Sequence, residues 1–201
     1  MPWPPMNETA LPFDVTWVER RAPTHPHLDE LLAWAHRFHA LGWTPSYGPG
    51  DHGNMSVRSA AGCVVTATRT SKAAITREEC VEVVGWAERA GRTVVSCRGL
   101  RPQSTDAVLH YELYRRHPAL GAVLHGHDAQ ALNQGSRLRL PVVSGASALE
   151  LLPHVARLVP DRAYVLIAGH GFLAFGPSLE AAGQAAVSVH EKSLTAAHPA
   201  W

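Results

Sequence analysis

Two short apolar runs constrain this chain most. Residues 121–127 read Gly-Ala-Val-Leu-His-Gly-His, and residues 163–169 read Ala-Tyr-Val-Leu-Ile-Ala-Gly, with His170 directly after the second. Continuous apolar runs of this length suit strands covered on both faces. Such strands need helices on each side of their sheet, and the rest of the chain supplies candidates. Leu28, Leu31, Leu32, Ala35 and Phe38 recur at helical spacing, with Asp29 and Glu30 in the first turn and Gly42 at the end. Residues 105–117 carry Val108, Leu109, Glu112 and Leu113 at helical offsets, and Pro118 stops them. A helix over 148–158 with Pro153 as an irregularity, and a last one capped by Ser178 and running to about Ala197, complete the set. Val57 and residues 63–66, 81–87, 92–97 and 171–175 read as further strands. Strand and helix signals alternate without a repeat or a linker. The expected fold is one α/β (α+β) domain over 28–201, a central sheet flanked by helices on both sides. Residues 1–27 hold six prolines and read as an extended arm, lying on the surface or on a neighbouring subunit.

Charge and composition narrow the function classes. A formal net charge of +1, with no charged block, gives no reason to expect nucleic acid or a membrane surface as partner. No run reaches the ~20 apolar residues that span a bilayer. The start of the chain carries Glu8 and Asp14 among prolines, which does not suit a secretory signal. Cys63, Cys80 and Cys97 are odd in number and lack CxxC spacing, so they read as buried reduced thiols of a cytoplasmic protein. Trp34, Trp43 and Trp86 lack a basic stripe and read as packing residues.

Thirteen histidines are the unusual feature, and placement decides which of them matter. His125 and His127 sit two apart at a strand end, so strand alternation puts both rings on one face with Cβ atoms roughly 6–7 Å apart. Two imidazoles so placed can converge on one cation at roughly 2.0–2.1 Å. His170 lies between two glycines at a second strand junction. Three neutral imidazoles leave coordination positions open for water or substrate, the pattern of a catalytic site. The other histidines, His52 and His190 included, show no convergent spacing.

Five motifs in register carry a resemblance. Residues 53–58 read Gly-Asn-Met-Ser-Val-Arg, and 65–68 read Val-Thr-Ala-Thr with Ile75-Thr76 downstream. Ser104, Thr105 and Asp106 are followed by His110, Tyr114, Arg116, Pro118, His125 and His127, and His170-Gly171 closes the set. In these motifs the chain, from about Leu28 to His190, resembles the class II aldolase/adducin superfamily, which includes L-fuculose-1-phosphate aldolase and L-ribulose-5-phosphate 4-epimerase.

The resemblance implies a mainly antiparallel sheet and a zinc ion (or Mn2+, Co2+ or Fe2+) held by His125, His127 and His170. It places Asn54, Thr68, Ser104 and Thr105 at the substrate's phosphate. It makes Asp106 the acid/base, one methylene shorter than the usual glutamate, as in the epimerases. Arg69 stands where many members have a glycine, and either binds phosphate or carboxylate or faces solvent. His110 either orients Asp106 or packs, while Tyr114 and Val108 read as core. No tyrosine lies between Tyr114 and Tyr164, where the fuculose enzyme keeps a general acid. The implied reaction is cleavage of a ketose 1-phosphate to dihydroxyacetone phosphate and an aldehyde through a metal-stabilised enediolate. A pentulose-phosphate 4-epimerase, a methylthioribulose-phosphate-type dehydratase and a non-catalytic adducin-like module are the alternatives. A homotetramer with its active site at the subunit interface is the implied assembly.

Overall fold

The computed structural model describes residues 11–159 and 161–197; the first ten residues of the proline-rich arm and His198 lie outside them. In chain order the elements are β1 (Phe13–Glu19), α1 (Leu28–Ala40), β2 (Asn54–Arg58), β3 (Cys63–Thr66), β4 (Cys80–Arg89), β5 (Arg92–Gly99) and α2 (Ala107–Arg116). There follow β6 (Ala122–Gly126), α3 (Ala129–Gln134), β7 (Val142–Val143), α4 (Ala148–Ala156), β8 (Tyr164–Ile167), β9 (Gly171–Gly176) and α5 (Leu179–Ala197). The strands form one mixed sheet in the order β1-β5-β4-β3-β2-β6-β9-β8-β7. Only the outer pairs, β1 with β5 and β7 with β8, are parallel. The expected mainly antiparallel sheet is what forms.

Each face of the sheet buries its own core. On one side Leu109, Leu113 and Tyr114 of α2 and Leu151, Leu152 and Val155 of α4 pack on Val65, Val83, Val123 and Val165. On the other, Leu31, Trp34 and Phe38 of α1 and Leu179, Ala182 and Ala186 of α5 pack on Met55, Leu124, Phe172 and Ala174. This double covering explains why β3, β6 and β8 read as unbroken apolar runs. Ser178 accepts from the backbone N–H of Ala181 at 3.1 Å, the expected cap of α5. The three cysteines are free and buried, as expected.

Three elements have no counterpart in the sequence reading. Within the proline-rich arm, residues 13–19 form β1, whose burial alternates from Phe13 through Val15 and Trp17 as a strand at a sheet edge should. The six-residue α3 is capped by Asp128, which accepts from the N–H groups of Gln130 and Ala131. The two residues of β7 are too few to show a period. No described helix is long and apolar enough to cross a membrane.

Candidate active site

The sheet's antiparallel register gathers the chemistry-bearing residues at one end. Asn54, at the start of β2, lies directly opposite His125, near the end of β6. His170 sits in the turn that leads into β9, whose Phe172 pairs with Gly126. Two glycines allow this crowding. Gly53 has φ +79°, and a Cβ there would stand 2.8 Å from the His125 carbonyl oxygen. A Cβ on Gly171 would stand 2.3 Å from the Gly126 carbonyl oxygen.

The three imidazoles converge. Ring centroids of His125, His127 and His170 lie 4.7 to 4.9 Å apart. Their ligand atoms all fall within 4.8 Å of one another, and no other such group occurs among the described residues. His125 is buried, with Nδ1 2.8 Å from the carbonyl oxygen of Phe172, which fixes the ring and turns Nε2 toward the other two rings. Burial, and then the neighbouring His125, pushes His127 down to about 2. The same causes, in the same order, bring His170 to about 4. Imidazoles held neutral in this way are in the form that binds a metal, so the donor set fits a divalent cation such as zinc.

Asp106 faces the same space. It stands at the N-cap position of α2, yet its side chain makes no capping bond. Its Oδ2 instead accepts from Asn54 Nδ2 at 2.8 Å. Because Asn54 is paired with His125, that one hydrogen bond ties the carboxylate to the imidazole cluster. Asn54, Thr68, Arg69, Ser104, Thr105, Asp106, His125, His127 and His170 all line one cavity of about 500 Å³. Arg69 takes the left-handed backbone at φ +55°, and its carbonyl oxygen accepts from Arg101.

Several residues of this neighbourhood escaped sequence reasoning. Tyr47, Asp51, His52, Lys72 and Gln103 also line the cavity. His52 lies against Tyr47 with the rings tilted by 43° and their centroids 4.6 Å apart, and 5.1 Å, ring to ring, from His127. Its pKa is lowered, by burial first and then by His125. The turn-rich composition of residues 44–53 concealed these contacts, since it says nothing of what the loop covers. His190 is bonded to Asp128 at 2.8 Å, and Asp128 also caps α3; together they brace the turn that follows His127.

His110 is fully buried, 2.7 Å from the Ser56 hydroxyl through Nδ1, and desolvation pushes it down to about 3. A histidine neutral in the fold, but free to charge near 6.5 once unfolded, gives stability above that pH and loses it as pH falls toward 3. His110→Gln keeps a hydrogen-bonding group but cannot titrate. We expect its urea-unfolding free energy to fall less steeply than wild type between pH 6.5 and 4, by up to about 1.4 kcal/mol per pH unit. Parallel acid limbs would show that His110 does not carry this dependence.

With the geometry in place, comparison with known proteins is decisive for the family. The family model "Class II Aldolase and Adducin N-terminal domain" matches residues 29–137. The chain belongs to the class II aldolase and adducin family. It is 37% identical over 107 residues to a methylthioribulose-1-phosphate dehydratase of Pectobacterium carotovorum, a match covering 52% of this chain and 46% of that protein. It thus spans about half the length of that relative. To the dehydratase of the same name from Acidiphilium cryptum it is 30% identical over 181 residues, covering 75% of this chain and 80% of the relative. Among solved structures, the L-fuculose-1-phosphate aldolase of Thermus thermophilus superposes with a TM-score of 0.70 at 22% identity, covering 87% of this chain and 94% of that one.

Proposed function

We propose that this class II aldolase family member is a divalent-metal-dependent lyase acting on a ketose 1-phosphate. Loss of water is the favoured reaction and aldol cleavage the second reading. The observation that carries it is Asp106, whose carboxylate leaves its own helix uncapped and is bonded to Asn54 opposite His125. In the sequence reading aldol cleavage stood first. The similarity to a methylthioribulose-1-phosphate dehydratase over three quarters of the chain, and to others over half of it, moves dehydration ahead of it.

His125, His127 and His170 hold the metal, zinc by preference for their nitrogen donors. A divalent cation there supplies Lewis acidity to the adjacent carbonyl and hydroxyl oxygens of a bound ketose. Asp106 takes the proton from the carbon beside the carbonyl, with Oδ2 held by Asn54 so that Oδ1 is the basic atom. It gives that proton to the hydroxyl on the next carbon, which leaves as water as the carbon–carbon double bond forms. Asn54 Oδ1 is buried with no hydrogen-bond partner among the described residues, and it accepts from a substrate hydroxyl. Ser104, Thr105 and Thr68, beside the N-terminus of α2, hold the phosphate by hydroxyl and backbone N–H donors, with Arg69 alongside. In aldol cleavage the same groups act in another order. Asp106 takes the proton of the hydroxyl on the next carbon, the carbon–carbon bond breaks to release the aldehyde, and Asp106 returns that proton to the enediolate carbon left behind. The active assembly is a cytoplasmic homotetramer with this cavity at a subunit interface.

The test is incubation of metal-loaded protein with a 5-methylthio-ribulose 1-phosphate, followed by 13C and 31P NMR. A product that keeps its phosphate, its methylthio group and an unbroken five-carbon chain but lacks one water supports dehydration. Dihydroxyacetone phosphate supports cleavage. Unchanged substrate in the presence of bound metal sinks both.

A further inference from the structure

Sixteen arginines but only two lysines, Lys72 and Lys192, carry the positive charge of this chain. One of those two is 1% exposed in the wall of the cavity, where a mobile surface cation would have no place. The Lys72 ammonium donates to the Thr70 carbonyl oxygen at 3.3 Å and the Thr70 hydroxyl at 3.2 Å, both neutral acceptors. Among the described residues no carboxylate lies within ion-pair distance of it. The nearby Asp51 carboxylate is engaged elsewhere, accepting from the hydroxyls of Ser46 and Ser71 and the backbone N–H of Lys72. Burial brings the Lys72 amine down to about 8, so it is mostly charged at neutral pH.

A second donor in the same wall lacks an acceptor. Gln103 is 1% exposed, and its Oε1 accepts from Cys97. Its Nε2 is buried with no partner among the described residues. The segments that carry these two side chains are joined: Ala67 bridges to Gln103, Thr68 N–H donates to the Pro102 carbonyl, and Thr70 Oγ1 donates to the Ala67 carbonyl. A buried cation with no carboxylate in contact, Asp51 and Glu79 acting on it only at longer range, and a buried amide without an acceptor are each costly, and an anion in the cavity that both line would relieve them.

We propose that Lys72 and Gln103 form the anion-binding floor of the cavity and hold the substrate's phosphate from below, while Thr68 and Ser104 hold it from the side. This rests on the phosphate-ester reading above and adds the charged member that the hydroxyl cradle lacks. A lysine supplies there a compact point charge with three donors, two directions of which are taken by Thr70.

With two lysines, 13Cε-lysine labelling gives two NMR signals, and Lys72→Met assigns them. Inorganic phosphate is titrated at constant ionic strength, with binding followed independently by 31P line width. We expect the Lys72 signal to move saturably and that of Lys192 to stay. We also expect phosphate affinity to drop at least tenfold in Lys72→Met and severalfold in Gln103→Leu. If phosphate binds, and binds more weakly in Ser104→Ala, while the Lys72 signal stays still, the floor is wrong and the hydroxyl cradle stands. If Lys72 responds but Ser104→Ala and Thr68→Val bind phosphate like wild type, the floor stands and the cradle falls. Failure of the wild-type protein to bind phosphate overturns the floor outright. If Lys72→Met does not fold, Lys192→Arg at the exposed second lysine assigns the two signals, and the titration of labelled wild type decides the matter.

Discussion

Asp106→Asn is expected to lower kcat by about 10²- to 10⁴-fold, the usual worth of a positioned general base. Metal content and melting temperature should stay near wild type. The substitution is close to isosteric, and the side chain makes no capping bond whose loss would weaken α2. It removes the charge that faces the imidazole cluster, and it sets an amide where Asn54 donates. Asp106→Glu keeps the carboxylate with a longer reach and should retain more activity than the amide. Steady-state rates with metal analysis on the same samples check the pair. Turnover by Asp106→Asn within a few-fold of wild type would remove Asp106 from the chemistry.

His127→Ala is expected to bind metal in less than stoichiometric amount after dialysis and to lose several kcal/mol of transition-state stabilisation, about 10³-fold or more in rate. Its ring is one of three whose ligand atoms lie within 4.8 Å, so its loss leaves two donors for an ion that prefers four neighbours. The fold should persist, because the backbone bond from His127 N–H to Trp43, and the capping of α3 by Asp128, do not depend on the ring. Metal stoichiometry by elemental analysis, alongside circular dichroism, separates loss of metal from loss of structure. A variant with full metal content and full activity would show that the cluster is not the metal centre.

Much of the architecture was legible in the residues because local physics dictates it. Double-sided burial writes continuous apolar runs into β3, β6 and β8, and the cap at Ser178 needs only neighbours within one helical turn. The HxH pair was readable for the same reason: a spacing of two at a strand end fixes relative direction without knowledge of the rest of the fold. The third imidazole needed the motif set as a whole, since His170 is far from the other two in sequence and only the pairing of β6 with β9 brings it to them.

What tertiary structure alone decided are the contacts between distant segments. Asn54 and Asp106 are separated by 52 positions, and nothing in either neighbourhood signals that one amide holds the other's carboxylate. His52, Lys72 and Gln103 carry no period and no motif; their meaning comes from being buried beside one cavity with polar atoms to satisfy. The strand β1 shows an alternating pattern, but its parallel partner β5 begins some eighty residues on, a pairing that no local rule specifies. Sequence by itself determined most of the strands and helices and that His125 and His127 could share an ion, because period and burial act over a few residues, and the motif set added His170. The electrostatic and hydrogen-bonding surroundings of that cluster were decided by the closed sheet, because desolvation depends on what the whole chain lays over a side chain.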